Sequence, residues 1–230
     1  MKLSGKPVAT PGTLRVLSAL LSYPGGDVRS HLEEMKEILR RERALPSDRL
    51  DELDAFIGKL QRADPLECEA EYVRLFDRGR AAALHLFEHV HGDSRDRGPA
   101  MIDLAQTYER AGLLLAPGEL ADYLPVALEF ASTQPPREAS AFLSEMAHIL
   151  NAIFGALQKR ASGYASVLGA LLELAGEKAL PVAAQAEESL DEAWAEPPVF
   201  GGCSTKGQAR PGDPQPIRMM QRQAQPGASA

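Results

Sequence analysis

Three side chains that can hold and use a metal ion lie within five residues of one another. The segment His85-Leu86-Phe87-Glu88-His89 has the form H-x-x-E-H, and on a helix this spacing places His85 and His89 on one face beside Glu88. Zinc hydrolases of the inverzincin type use this arrangement. A catalytic zinc ion also needs a third protein ligand and an open position for water, and no downstream acidic residue stands in a recognisable motif. A small zinc hydrolase is therefore one hypothesis.

The same segment also fits an ordinary amphipathic helix over roughly residues 82–91. In that interpretation Leu84, Leu86, Phe87 and Val90 pack inward, while the histidines bond to neighbours or face a groove. We favour this interpretation, because a five-residue pattern with two free positions arises easily by chance.

The charge and cysteine content of the chain restrict its partners and its compartment. The 230 residues include 25 Lys and Arg against 32 Asp and Glu, and residues 1–200 hold 21 of the basic and 31 of the acidic ones. Such an acidic body disfavours nucleic acid and anionic membranes and favours a basic partner. Only Cys68 and Cys203 occur, which fits a reducing compartment and excludes a cysteine-ligated metal site. No run approaches the ~20 apolar residues that span a bilayer, so we expect a cytoplasmic protein without direct membrane insertion.

The residue composition predicts an all-α fold. The chain has 35 Ala and 31 Leu but nine Val and six Ile, and no segment alternates with period two. We expect a flexible N-terminus over residues 1–12, one compact multi-helix domain over 13–200, and a disordered tail over 201–230. The tail holds five Gly, four Pro and five Gln and few core-forming residues.

Apolar spacing and helix breakers predict where the helices begin and end. Asp27, Ser47 and Asp64 are the expected N-caps, the last with Pro65 at the first helical position. The predicted helices cover about 13–22, 27–44, 47–63, 65–76, 82–91, 98–111, 119–132, 137–160 and 163–177.

Several segments resemble those of one known family, both in their residues and in their order along the chain. They are Leu20-Leu-Ser-Tyr-Pro24, Glu71-Tyr-Val-Arg-Leu-Phe-Asp-Arg-Gly-Arg80, Leu84-His-Leu-Phe-Glu-His-Val-His-Gly-Asp-Ser-Arg-Asp-Arg-Gly98, Met101-Ile-Asp-Leu104, Glu119-Leu-Ala-Asp-Tyr-Leu-Pro125 and Leu128-Glu-Phe130. The chain is similar to the NarJ family, the assembly chaperones (delta subunits) of respiratory nitrate reductase, within the TorD/DmsD group of redox-enzyme chaperones. The resemblance is strong over about 13–134 and extends weakly to 190–200.

This resemblance implies a TorD-like helical chaperone without catalytic activity, metal or cofactor of its own. Its expected partner is the N-terminal peptide of the nitrate reductase catalytic (alpha) subunit, held until molybdenum cofactor and iron-sulfur centres are inserted. Molybdenum cofactor delivery proteins are further expected partners. A generic acidic helical adaptor is the remaining alternative.

The resemblance also implies which residues bind the peptide. An apolar groove is expected to receive the peptide, with carboxylates on its rim. The residues at the family's Y-x-x-L-F, H-L-F-E-H and hinge positions are Tyr72, Leu75, Phe76, His85, Glu88, His89, Glu119, Asp122 and Tyr123.

Overall fold

Helices make up most of the part of the chain that the structure describes. The computed structural model describes residues 7–92 and 94–180. The predicted tail at 201–230 and the family-like segment at 190–200 lie outside the described residues. The helices are α1 Pro11–Leu21, α2 Gly26–Ser30, α3 Leu32–Glu42, α4 Ser47–Arg62, α5 Pro65–Phe76, a short 3₁₀ helix Arg80–Ala82, α6 Leu86–Val90, α7 Arg97–Arg110, α8 Leu124–Thr133, α9 Pro136–Glu145, α10 Ala147–Lys159 and α11 Ala165–Leu174. The all-α prediction is confirmed: these residues contain no β-strand, only one isolated bridge.

The first helix lies at the centre of the fold because one side of it is almost entirely apolar. Leu14, Leu17, Leu20 and Leu21 are at most 1% exposed, and α1 packs against α8, α3 and α11. The α10–α11 pair closes the core on another side. The helix begins at Pro11, within the segment expected to be flexible.

A carboxylate from another helix caps the start of α1. Glu42 accepts hydrogen bonds from the backbone N–H groups of Gly12 and Thr13, at 3.1 and 2.6 Å, and from the hydroxyls of Thr10 and Thr13. Burial of the carboxylate opposes ionisation, but these hydrogen bonds outweigh it and hold the pKa of Glu42 below its ordinary value. The contact ties α3 to α1.

Three of the predicted helices begin or break at positions other than those expected. The helix expected over 27–44 breaks at His31. The Nδ1 atom of His31 lies 2.7 Å from the Asp27 carbonyl oxygen. In a continuous helix, that carbonyl would accept the hydrogen bond from the His31 backbone N–H. The helix expected over 137–160 bends by 67° between α9 and α10 at Met146. The helix expected from residue 119 begins only at Leu124, so Pro125 falls in its first turn.

Two of the expected N-caps also differ from the structure. Asp64 accepts hydrogen bonds from Leu66 and Glu67, as predicted. Ser47, by contrast, is already the first residue of α4, and Asp27 lies within the first turn of α2. Neither of these two side chains makes the expected cap.

Within the described residues, no single helix is both long enough and apolar enough to cross a membrane. Helices α9 and α10, taken together as one bent pair, have the length and composition of a membrane-spanning segment. Their apolar residues Leu143, Leu150 and Leu157 are 0% exposed in the core.

Candidate functional site

An antiparallel bridge between His85 and Tyr123 brings two of the family-like segments together. The Leu86 N–H donates to the Asp122 carbonyl at 2.9 Å, and the Leu124 N–H donates to the Leu84 carbonyl at 2.8 Å. The bridge joins the two ends of the segment that contains α6, α7 and the loop before α8. Residues 36 to 40 positions apart in sequence are thereby placed side by side. We call this region the hinge.

The hinge geometry overturns the helical interpretation of the H-x-x-E-H segment. His85 is the extended N-cap of α6, so His85 and His89 do not share a helical face. The Nε2–H of His89 donates to the Ala83 carbonyl at 2.8 Å, because a carbonyl oxygen can only accept. His85 Nδ1 lies 3.3 Å from Asp122 Oδ1. Across residues 7–92 and 94–180, no three His, Cys, Asp or Glu side chains are grouped to hold a metal ion.

The short length of α6 also changes which of its apolar residues are buried. Leu84 and Leu86 pack inward as predicted, with 2% and 3% of their surface exposed. Phe87 packs partly against the core. Val90 is 52% exposed, so the prediction that it packs inward is wrong.

Asp122 is the buried polar centre of the hinge, and not the rim carboxylate expected from the sequence. Its side chain is 0% exposed. Its carboxylate accepts a hydrogen bond from the Phe87 N–H at 3.2 Å and lies 3.5 Å from the Arg97 guanidinium. Burial alone would raise the pKa of Asp122, but the hydrogen bonds from His85 and Phe87 and the charges of His85 and Arg97 lower it.

The groups around Asp122 form a charged cluster that reaches the surface. The hydrogen bond to Asp122 raises the pKa of His85, although burial opposes the rise. Arg97 also lies 3.8 Å from Glu88. The cluster therefore joins α6, α7 and the segment before α8 through one buried carboxylate.

Tyr123 connects the hinge to the main core. Its hydroxyl lies 3.0 Å from the Tyr72 hydroxyl, which itself donates to the Leu21 carbonyl at 2.8 Å. Tyr123 therefore donates to Tyr72. The His85 and Tyr123 rings are 5.3 Å apart.

The predicted peptide-binding residues divide into a buried and an accessible group. Tyr72, Leu75 and Phe76 are between 4% and 6% exposed and lie in the core, and Asp122 is 0% exposed. The accessible members, which are at least partly exposed, are His85, Glu88, His89, Glu119 and Tyr123.

Sequence reasoning missed two residues that shape this region. Arg97 pairs with Asp122 and Glu88, and Tyr108 donates to the Ala121 carbonyl at 2.9 Å. Arg97 lies within the family-like segment 84–98, so this segment could have identified it as a candidate. Tyr108 lies on α7 with no motif around it.

An apolar groove of about 490 Å³ lies next to the hinge, between α1, the start of α2, α8 and the loop at 111–119. Two acidic residues, Glu119 and Glu129, and one basic residue, Arg15, stand among its mostly apolar lining. The apolar lining includes Ala19, Val28, Leu113, Leu114, Leu115, Val126 and Phe130. We call it the α1–α8 groove.

Comparison with known proteins gives one family. The model of the family described as nitrate reductase delta subunit matches residues 42–169. That range includes the hinge and every peptide-binding residue predicted above.

Relatives from two bacteria align over most of the chain. The chain is 44% identical over 180 residues to the nitrate reductase molybdenum cofactor assembly chaperone NarJ of Escherichia coli (strain K12). This alignment covers 78% of this chain and 76% of the relative. It is 30% identical over 161 residues to the protein assigned as the NarJ chaperone of Bacillus subtilis (strain 168), covering 70% of this chain and 86% of the relative.

A solved structure has the same fold. It is a crystal structure assigned as a redox enzyme maturation protein from Archaeoglobus fulgidus, with a TM-score of 0.51 and 20% identity. The similarity covers 73% of this chain and 94% of that one. At this identity the comparison supports the fold alone.

Proposed function

Because the chain belongs to the nitrate reductase delta subunit family, we propose that it is a system-specific chaperone of respiratory nitrate reductase. It binds the N-terminal segment of the apo catalytic subunit and holds that subunit while molybdenum cofactor and iron-sulfur centres are inserted. It acts in the cytoplasm, before the reductase docks at the membrane, and it works by binding without catalysis.

The observation that carries this proposal is the meeting of two family-like segments at the hinge. The bridge between His85 and Tyr123 places two partly exposed rings side by side, with Glu88 and Glu119 accessible nearby. Rings and carboxylates together suit a basic amphipathic peptide, which offers apolar side chains and cations on the same segment.

The buried residues support this surface without touching the peptide. Asp122 fixes His85 and Arg97, and Tyr72 fixes Tyr123 through its hydroxyl. Side chains whose orientation is set before binding lose less entropy when a ligand arrives. The same reasoning assigns Leu75 and Phe76 to the packing behind the site. Molybdenum cofactor delivery proteins are proposed as further partners that approach the held apoenzyme.

Isothermal titration with roughly the first 30 residues of the cognate catalytic subunit tests this proposal, since a helix-in-groove complex needs only a few turns. Tyr123→Ala should weaken binding at every salt concentration, because apolar contact is not screened. Glu88→Gln should weaken it more at low salt than at high salt. Glu37→Gln, an exposed carboxylate on α3, is the matched control. If the unmodified protein does not bind this peptide, the proposed function is wrong.

A further inference from the structure

We propose that the outer face of α5 pairs with the same face of a second copy of this chain, so that two molecules form a two-fold symmetric dimer. The outer face consists of Leu66, Glu67, Ala70, Val73 and Arg74. The proposed function does not require this contact, which adds a second copy of the chain as a partner.

The first argument is that α5 has apolar residues on two sides, and the core covers one of them. The buried side consists of Cys68, Tyr72, Leu75 and Phe76. On the opposite side, Leu66 is 74% exposed, Ala70 is exposed and Val73 is partly exposed. Their spacing of four and three residues places them on one stripe of the helix. An exposed apolar stripe of this kind is typical of a surface that another protein covers.

The second argument is a hollow of about 490 Å³ along the outer face, lined by residues from Leu66 to Arg78 and by Tyr23. Tyr23 is 48% exposed. Its hydroxyl donates to Glu69 Oε2 at 3.0 Å, and its ring meets the Tyr72 ring edge-on, with 5.6 Å between the centroids. The Tyr23 ring is therefore held in place before a partner arrives. A fixed aromatic ring beside an apolar hollow is typical of the energetic centre of an interface.

The third argument is that the exposed charges at the two ends of α5 have opposite signs. Asp64 and Glu67 are exposed at its start, and Arg74 and Arg78 are exposed at its end. Among the described residues, the side chains of Glu67, Arg74 and Arg78 have no hydrogen-bond or ion-pair partner. A second α5 placed antiparallel to the first brings the acidic start of each helix to the basic end of the other. Opposite charges then meet at both ends of the contact.

The fourth argument is that the outer face is symmetric about Ala70. In an α-helix, Leu66 and Val73 lie on one side of Ala70, and Glu67 and Arg74 lie on the other. A two-fold axis at Ala70 that makes the helices antiparallel sets Leu66 against the partner's Val73, and Glu67 against the partner's Arg74. The small Ala70 side chain lets the two helices approach closely where they cross. A face that matches itself in this way is what a two-fold interface requires, and it favours a second copy over an unrelated partner.

The size of the contact indicates a weak dimer. One helix face from each copy places it at the low end of specific interfaces, below about 1,200 Å². The dimer should therefore form at high protein concentration and dissociate on dilution.

Sedimentation velocity of the full chain between about 1 and 300 µM tests the proposal, since this range covers weak complexes. The unmodified protein should pass from monomer to dimer as its concentration rises. Leu66→Glu should raise the dissociation constant of the dimer about tenfold or more, because it places carboxylates in the apolar part of the contact. Leu66 is largely exposed in the single chain, so circular dichroism should show unchanged folding. Ile102→Glu, at a 60% exposed position on α7, is the matched control and should dimerise as the unmodified protein does.

Charge exchange tests the antiparallel register. Arg74→Glu and Glu67→Arg should each raise the dissociation constant about threefold to tenfold, because each sets like charges against one another. The double variant Glu67→Arg/Arg74→Glu exchanges the two charges and should restore most of the affinity. Added salt should reduce all three differences, since the pair is accessible to water.

An unmodified protein that stays monomeric over the whole concentration range would overturn the proposal. A dimer that Leu66→Glu leaves intact would also overturn it, because the contact would then lie on another surface. A double variant that dimerises no better than the single ones would contradict the pairing of Glu67 with the partner's Arg74. Weakening by each single substitution, with recovery in the double variant, supports the proposal. These results leave the proposed function untouched, since peptide titration tests it separately.

Discussion

Replacing Asp122 with Asn should destabilise the protein measurably, because Asp122 is the buried carboxylate that holds the hinge together. Breaking a buried ion pair from one side costs about 3–5 kcal/mol. His85 and Arg97 are 33% and 30% exposed, so water recovers part of that loss, and the Asn oxygen can still accept from the Phe87 N–H. We therefore expect a loss of about 2 kcal/mol in the free energy of unfolding, which for a urea dependence of about 2 kcal/mol per M shifts the midpoint by about 1 M.

The loss should depend on pH in a specific way. The folded-state pKa of His85 is raised, so its contribution is complete below its ordinary value of about 6.5 and disappears as the pH rises through the folded value. The folded-state pKa of Asp122 is lowered, so its contribution is complete above about 3.9 and disappears as the pH falls through the folded value. The difference between Asp122→Asn and the unmodified protein should be largest between about pH 4 and 6.5, and smaller at pH 9.

Urea unfolding at several pH values, followed by circular dichroism, measures this difference. Asp51→Asn, an exposed carboxylate on α4, is the control and should change stability by less than about 0.5 kcal/mol. A difference for Asp122→Asn below about 0.5 kcal/mol at every pH would refute the assignment of Asp122 as the structural centre of the hinge. A loss that is the same at pH 5 and pH 9 would show that the charge of His85 contributes nothing.

Three further predictions follow from other contacts. Glu42→Gln should destabilise the protein by about 1–2 kcal/mol in urea unfolding, because α1 loses the ionised cap that its N-terminal N–H groups and Thr13 share. This loss should shrink as the pH falls below about 4, and an unchanged unfolding midpoint at pH 7 would contradict the capping role. Gly163→Ala should cost about 1–3 kcal/mol in the same assay, because an added Cβ would lie 2.5 Å from the Phe56 ring, and an unchanged midpoint would contradict that packing. Elemental analysis of the purified protein should find less than stoichiometric zinc, because His89 donates through Nε2 to a backbone carbonyl; about one zinc per chain, lost in His89→Ala, would contradict the non-enzymatic account.

The sequence predicted the helical class and most helices correctly because their apolar spacing is strong and Pro or Gly marks many of their ends. Pro65 follows its cap as expected. The breaks at His31 and Met146 carry no such marker. The break at His31 coincides with a side chain that takes a backbone acceptor, and such a contact is not visible in the spacing of apolar residues.

The sequence predicted only those residues of the candidate site that lie within the family-like segments. The family-like segments identified His85, Glu88, Asp122 and Tyr123, but they could not show that Asp122 is buried, since burial depends on the bridge between the two segments. The α1–α8 groove was not predicted, because its walls come from four separate parts of the chain. Glu129 stood within a quoted segment, yet nothing in its neighbours indicated that it faces a groove.

The molybdenum content of the cognate nitrate reductase catalytic subunit is a direct test of the proposed role in assembly. The subunit would be purified from cells that lack this chain and from the same cells supplied with it, and molybdenum would be measured per catalytic subunit. Without the chain, the subunit should accumulate with little molybdenum, and supplying the chain should restore about one molybdenum per subunit. Full molybdenum content in the absence of the chain would contradict the claim that this protein is an assembly chaperone for that enzyme.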